Sequence, residues 1–191
     1  MYLFFDTETT GLPKNYKAPV SDSDNWPRLV QLAWLWYDAE GNKWESYDFI
    51  IKPEGFVIPE EASKIHRISQ ERALKEGRPL EEVLDFFTEE VNKAGFVIGH
   101  NIDFDYHILG AEYYRLGEKN PLDNATQICT MKSSVNFCAI ANGRGGYKWP
   151  NLNELHNRLF NKGFEDAHDA LVDVEATARC FFALKKEGII N

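Results

Sequence analysis

Five residues carry the chemistry open to this chain: Asp6 and Glu8 in FDTETTG, Asp105 in HNIDFD, and His168 and Asp173 in HDALVD. They stand near the start, the middle and the end, so only folding can bring them together. A cluster of like charges costs stability unless cations neutralise it. Carboxylates with no thiolates among them favour hard divalent ions, Mg²⁺ or Mn²⁺, over zinc. The chemistry such a set could do is two-metal hydrolysis of a phosphodiester, with His168 as the proton acceptor.

The elements that must position these groups can be read from pattern. Asp6 and Glu8 end the apolar run YLFFD, a buried strand over residues 2–6. Strand alternation puts both acids on one face, Cα atoms roughly 6.5–7 Å apart, and points Thr7 the other way. Thr9, Thr10 and Gly11 then turn the chain, and their hydroxyls and N–H groups are candidates to meet a nucleotide. His100 and Asn101 leave a second short strand, 96–100, and enter a helix over about 103–116 that carries Phe104 and Asp105 in its first turn. Ligands commonly bind at strand C-termini in α/β folds, and Asn101 or Asp103 can cap the helix. The last helix, 167–187, carries His168 at its start and Asp173 about a turn later, with Asp166 as N-cap and Asp169 as its capping-box partner. A helix N-terminus disfavours imidazolium, which suits a neutral base; nearby carboxylates push the other way unless metals fill the site. Among the other histidines, His66 is expected on the cleft rim, and His107 and His156 read as ordinary surface or half-buried helix residues.

The rest of the chain supplies a scaffold. Residues 11–27 are a loop, and 28–38 with 43–52 form a hairpin around Glu40-Gly41-Asn42. A turn of helix at 61–67 is followed by a helix that Ser69 caps. Residues 79–94 are an amphipathic helix with Leu80, Val83, Leu84, Phe87 and Val91 inward and the acids, Glu90 among them, as a solvated face. A short strand is expected within 125–131, a Gly-rich loop at 141–150, and a helix at 151–160. In that loop Arg144, Tyr147, Lys148 and Trp149 mix charge with aromatics, as the edge of a nucleic-acid site does, but a plain mobile loop is the preferred account of them. Strands first, then strand and helix in alternation, imply a mixed α/β sheet with helices, organised as a single domain over 1–191.

Composition narrows the class. With 43% apolar and 14% aromatic residues, the chain of 191 residues is not disordered. A net charge of −9 excludes a protein that coats nucleic acid by bulk charge, but not an enzyme that holds a few nucleotides in one cleft. Cys129, Cys138 and Cys180 lack zinc spacing; an odd count with no signal peptide implies buried free thiols in a reducing cytosol. No apolar run is long enough to span a bilayer, so a cytoplasmic protein with no membrane partner is expected.

FDTETTG, HNIDFD and HDALVD, in this order, resemble the three exonuclease motifs of the DEDD superfamily, and more narrowly those of the proofreading, epsilon-like exonucleases of bacterial DNA polymerase III. The resemblance covers almost the whole chain. It implies an RNase H-like α/β fold with helices on both sides of the sheet, and release of nucleoside 5′-monophosphates from DNA 3′ ends, single-stranded or frayed ends being favoured. It matches Asp6, Glu8, Asp105 and Asp173 to the acids that hold two divalent cations, Mg²⁺ or Mn²⁺, and His168 to the general base of the histidine branch. It places Thr9, Thr10, Gly11, Leu12, His66, His100, Asn101 and Phe104 around the terminal nucleotide. Arg67 and Ser69 replace the Gly and Thr usual after the histidine of that family, Gln31 stands where many relatives have Glu, and Cys129 where many have Asp. RNA exonucleases of the RNase T or oligoribonuclease kind share these motifs, so RNA is the alternative substrate. A nucleic-acid-binding module without catalysis is a second alternative, against which all five filled positions weigh. The sequence stops soon after the last helix, so a free-standing exonuclease domain is expected, and association with a polymerase does not follow from it.

Overall fold

The computed structural model describes residues 1–164 and 168–190. Its first strand, β1 (Tyr2–Thr9), is fully buried from Tyr2 to Phe5, as expected of a strand covered on both faces. β2 (Leu29–Tyr37) pairs with it antiparallel, which sets Gln31 opposite Glu8. β3 (Lys43–Ile50) continues the hairpin at the sheet edge. The chain then crosses over through α1 (Glu60–His66), α2 (Gln70–Glu76) and α3 (Leu80–Lys93) to β4 (Phe96–Gly99), which lies parallel to β1 on its other side. β5 (Gln127–Cys129) completes the order β3-β2-β1-β4-β5. The β1–β4 pairing stops at Phe4 and Ile98, so Asp6 and Glu8 project beyond it. A crevice at the carboxyl ends of neighbouring parallel strands follows, the usual seat of a ligand in α/β sheets.

Helices cover both faces, as the sequence implies. α3 and α4 (Ile102–Leu116) pack on Leu3, Phe5, Leu32 and Trp34. α8 (Ala170–Lys186) packs on Phe4 and Leu35 through Val174, Ala178 and Phe181, a helical stripe. α7 (Leu152–Phe160) joins the α8 side through Leu155. Among the described residues, no helix is long and apolar enough to cross a membrane.

Several expectations need correction. β1 continues three residues past Asp6, because pairing with β2 carries it to Thr9. α8 begins at Ala170 and is capped by Asp169, whose Oδ1 accepts the Leu171 and Val172 N–H groups at 3.0 and 3.4 Å; Asp166 lies outside the described residues. At the start of α4, Asn101 holds the cap position in a left-handed conformation (φ 64°, ψ 40°) without a side-chain cap bond. Asp103 is already helical and pairs with Lys132. After β5 come two short helices not anticipated, α5 (Thr130–Ser133) and α6 (Val135–Cys138). Glu90 is not solvated: it is buried, where its carboxylate accepts the Trp36 indole N–H and meets Lys93 at 2.7 Å. The three thiols are free, but only Cys180 is fully buried.

The loop before β2 is fastened by a buried ionic network. Glu112 on α4 is 0% exposed and accepts hydrogen bonds from Arg28 Nε at 2.9 and 3.2 Å and from Leu29 N–H at 2.9 Å. Arg115 lies 3.2 Å away and donates through its other Nη to the Trp26 and Ser23 carbonyls. Val20 presses onto α4 at Gly110, where a Cβ would meet its Cγ1 at 2.8 Å. Glu112→Ala strands two guanidinium groups and a backbone donor, and should destabilise the protein by about 3–5 kcal/mol. Urea denaturation checks this; a loss below about 1 kcal/mol would show that water or Arg rearrangement replaces the carboxylate.

Candidate active site

At the end of β1, alternation places Asp6 and Glu8 on the α8 side of the sheet and Thr7 and Thr9 on the α4 side. Asp105 arrives from the first turn of α4. It is buried, and its Oδ1 accepts the Thr7 hydroxyl at 2.6 Å and the Thr7 backbone N–H at 3.2 Å. Asp173 arrives from the first turn of α8. Its Oδ2 accepts the His168 backbone N–H at 3.0 Å, while its Oδ1 is buried without a hydrogen-bond partner. His168 itself is exposed at the mouth of the cleft, in a left-handed conformation (φ 74°) that turns the chain into the helix.

The electrostatics follow from this crowding. Burial first, then the neighbouring carboxylates, pushes the Asp6 carboxyl well above its usual range. The same causes push Glu8 up to about 8. Burial pushes Asp105 up to about 7 against the opposing Thr7 hydrogen bonds, and pushes Asp173 up to about 6 against the His168 backbone N–H. Among the described residues, no lysine or arginine offsets the charge of these four groups. Glu8, His168 and Asp173 each offer a ligand atom within 4.8 Å of the others. Carboxylate oxygens in excess of nitrogen, one of them buried and unpartnered, suit a hard divalent cation. His168 therefore stands near enough to share a cation, closer in than a proton acceptor alone requires.

A cleft of about 480 Å³ joins these groups with Thr9, Gly11, Leu12, His66, His100, Asn101 and Phe104. Thr10 is not in it: its hydroxyl accepts the Arg28 N–H at 2.9 Å and ties the loop to β2. His66 is not a rim residue but is 3% exposed; its Nδ1 accepts the Ile68 N–H at 3.1 Å, and its Nε2 is buried without a partner. Burial lowers its pKa, so the ring is neutral. His100 has both nitrogens committed. Nε2–H donates to the Pro150 carbonyl at 3.1 Å, which leaves Nδ1 to accept the Thr130 hydroxyl at 2.9 Å, and burial lowers its pKa to about 4. His107 is half-buried, as expected, whereas His156 is 3% exposed, more buried than the surface or half-buried position expected of it, with Nδ1–H donating to the Lys162 carbonyl at 2.9 Å.

Comparison with known proteins agrees with this geometry. The RNase T exonuclease family model matches residues 3–181. The chain belongs to this exonuclease family. DNA polymerase III PolC-type of Streptococcus pneumoniae serotype 2 (strain D39) is 30% identical over 188 residues, which are 97% of this chain and 11% of that protein. The chain thus spans about a tenth of the length of these relatives. Among solved structures, exonuclease I of Methylocaldum szegediense superposes with a TM-score of 0.72 at 23% identity, over 97% of this chain and 40% of that one. E. coli exonuclease I in complex with a dT13 oligonucleotide gives 0.75 at 21% identity, over 96% and 40%. The RNase H-like α/β fold and the resemblance to the DEDD and polymerase III exonucleases are borne out.

Two residues of this exonuclease fold escaped sequence reasoning. Thr7 reaches from the opposite face to hold Asp105; its place between two acids on a strand end was the available signal. Gln31 is 3% exposed and bridges β2 to α8: its Oε1 accepts the Ala170 N–H at 3.2 Å and its Nε2 donates to Asp48 Oδ1 at 2.8 Å. Nothing local marks that role. The raised carboxyl values have a measurable result. Groups that hold protons more tightly folded than unfolded stabilise the fold fully below their unfolded pKa values, 3.8 for Asp and 4.5 for Glu, and lose that effect as pH rises toward about 8. In EDTA the melting temperature should therefore fall between pH 5 and 8, and Glu8→Gln should flatten the slope. A metal-free melting temperature that rises over that range would contradict the cluster's electrostatics.

Proposed function

We propose that residues 1–191 act as one exonuclease domain that removes nucleoside 5′-monophosphates from the 3′ ends of single-stranded or frayed DNA, with divalent cations. The observation that carries this is the convergence of Asp6, Glu8, Asp105 and Asp173 beside His168 in one cleft, with burial and mutual repulsion raising their pKa values and, of basic side chains among the described residues, only His168 acting against this, at Asp173. Family membership supports the direction and the reaction class. The relatives named as DNA polymerases and the neighbour bound to an oligo-dT strand support DNA.

In this reading Asp6, Glu8 and Asp173 would hold one Mg²⁺ or Mn²⁺, and Asp6 with Asp105 would help hold a second; such ions would supply an acidified water and charge to offset the leaving 3′ oxygen. His168, at the mouth of the cleft, would accept the proton from that water. Thr7 keeps Asp105 aimed at the cleft. The terminal nucleotide is held by Thr9, Gly11, Leu12, Asn101 and Phe104. The unpartnered Nε2 of the neutral His66 offers it one polar contact, and His100 serves as a wall rather than a donor. A gripped end must be unstacked and, in a duplex, unpaired, a cost of a few kcal/mol that is smallest for a mismatched or single-stranded end.

The test uses 5′-labelled DNA and matched RNA oligonucleotides with Mg²⁺ or Mn²⁺, and mass analysis of the products. A ladder shortened by single nucleotides is expected, fastest on single strands and abolished by EDTA. Cleavage of circular single strands would refute the exonuclease reading, and faster turnover of RNA would move the substrate to RNA. His168→Ala should lower kcat about 10²–10⁴-fold with the affinity for Mn²⁺ kept. If calorimetry shows that Mn²⁺ affinity falls instead, His168 is a ligand and not the base.

A further inference from the structure

Gln31 stands on the face of β2 that meets α8. Further along that face Ala33 and Leu35 pack with Val174 and Phe181, but Gln31 is polar and only 3% exposed. A buried carboxamide is costly unless both of its ends are bonded. Both ends of this one are. Its Nε2 donates to Asp48 Oδ1 at 2.8 Å, and its Oε1 accepts the Ala170 N–H at 3.2 Å. A carboxylate only accepts and a backbone N–H only donates, so the amide has one orientation. A hydrocarbon in its place would make neither bond. A carboxylate there would set like charge against Asp48 and against Glu8, the cross-strand neighbour of Gln31.

The amide holds the first turn of α8. Ala170 is the first residue of that helix and is 0% exposed, and its N–H is one of the donors that a helix start leaves without an internal partner. Asp169 serves the next two donors, at Leu171 and Val172, and its carbonyl accepts the Asp173 N–H at 2.9 Å. Asp173 in turn accepts the His168 N–H at 3.0 Å. These bonds close the turn on itself, whereas the bond from Gln31 fastens it to the sheet across 139 residues of chain. Apolar contacts bring α8 onto the sheet without direction; a hydrogen bond is directional and sets rotation and register. His168 precedes Ala170 and Asp173 follows it within the same turn, so a turn released from β2 would carry both away from Asp6 and Glu8 on β1.

We infer that Gln31, oriented by Asp48, is a positioning residue that sets the first turn of α8 and, through it, His168 and Asp173. This rests on the cleft being the exonuclease site proposed above. Gln31 touches neither strand nor cation; it acts through the backbone of Ala170. Asp48 acts one step further out, from the exposed edge strand β3.

The test compares Gln31→Leu, Gln31→Glu, Asp48→Ala and the double variant Gln31→Glu/Asp48→Asn with the unaltered protein. Amide exchange is followed by NMR in EDTA, Mn²⁺ affinity by calorimetry, global stability by urea, and kcat and KM on an oligo-dT octamer with Mn²⁺. Gln31→Leu should speed exchange at Ala170 about tenfold while Leu171 and Val172, capped by Asp169, change little. Mn²⁺ affinity should fall, and kcat should drop about 10–100-fold with KM kept within about twofold. Gln31→Glu should lose kcat in the same way. Adding Asp48→Asn to it should restore kcat to within about threefold, because the carboxylate then accepts from both the Ala170 N–H and the new carboxamide. Asp48→Ala, an exposed change that keeps the protein folded if Gln31→Leu does not, should lower kcat about 3–10-fold. A normal kcat in Gln31→Leu, no rescue in the double variant, or a kcat loss that merely tracks the urea midpoint overturns the inference. If the unaltered protein hydrolyses nothing while Gln31→Leu still loses Ala170 protection and Mn²⁺ affinity, the exonuclease reading fails and the positioning role stands.

Discussion

Repulsion among four carboxyl groups is the constraint around which this molecule is arranged. Left to themselves, Asp6, Glu8, Asp105 and Asp173 would separate into water. The fold holds them together at the open end of β1, where burial and proximity raise the pKa of each. That arrangement is tolerable because β1 is anchored elsewhere. Its first four residues are buried between α4 on one side and α8 on the other, and their apolar contacts carry the two acid-bearing helices with them. Strand pairing that ends at Phe4 and Ile98 then leaves the acids in a crevice and not inside the sheet.

Polar connectors refine what the core sets coarsely. Thr7 links the β1 end to Asp105, and Gln31 links the residue opposite Glu8 to the first turn of α8. His100 ties the end of β4 to Thr130 and Pro150, and Glu112 ties α4 to the loop that carries Leu12 and Tyr16. Each is a buried or half-buried group whose partner lies far away in sequence, and each would be costly to leave unpaired. The polar connectors are committed to partners, while other groups of the cleft keep free atoms, as the Nε2 of His66 and the Oδ1 of Asp173 do.

A site of this kind has a stability cost built into it. The acids that make it useful in the proposed reaction weaken the metal-free fold at neutral pH, and the protein offsets this through an aromatic-rich core around Trp34, Phe87, Phe4 and Phe181.

The sequence by itself determined the element types, the mixed sheet flanked by helices, and the acids, because these rest on local periodicity and on motifs whose residues are close in the chain. The central strand, the hairpin, the Ser69 cap and the Gly117 stop are all set by neighbours a few residues away. Only the tertiary structure decided that Thr10 faces away from the cleft, that His66 is buried, that Glu90 serves Trp36, and that α8 starts at Ala170 rather than 167. It alone assigned Thr7 and Gln31 their partners. The reason is physical: a hydrogen bond across 98 or 139 residues leaves no periodic trace in the chain, and whether a polar group is free or committed depends on what the fold packs against it.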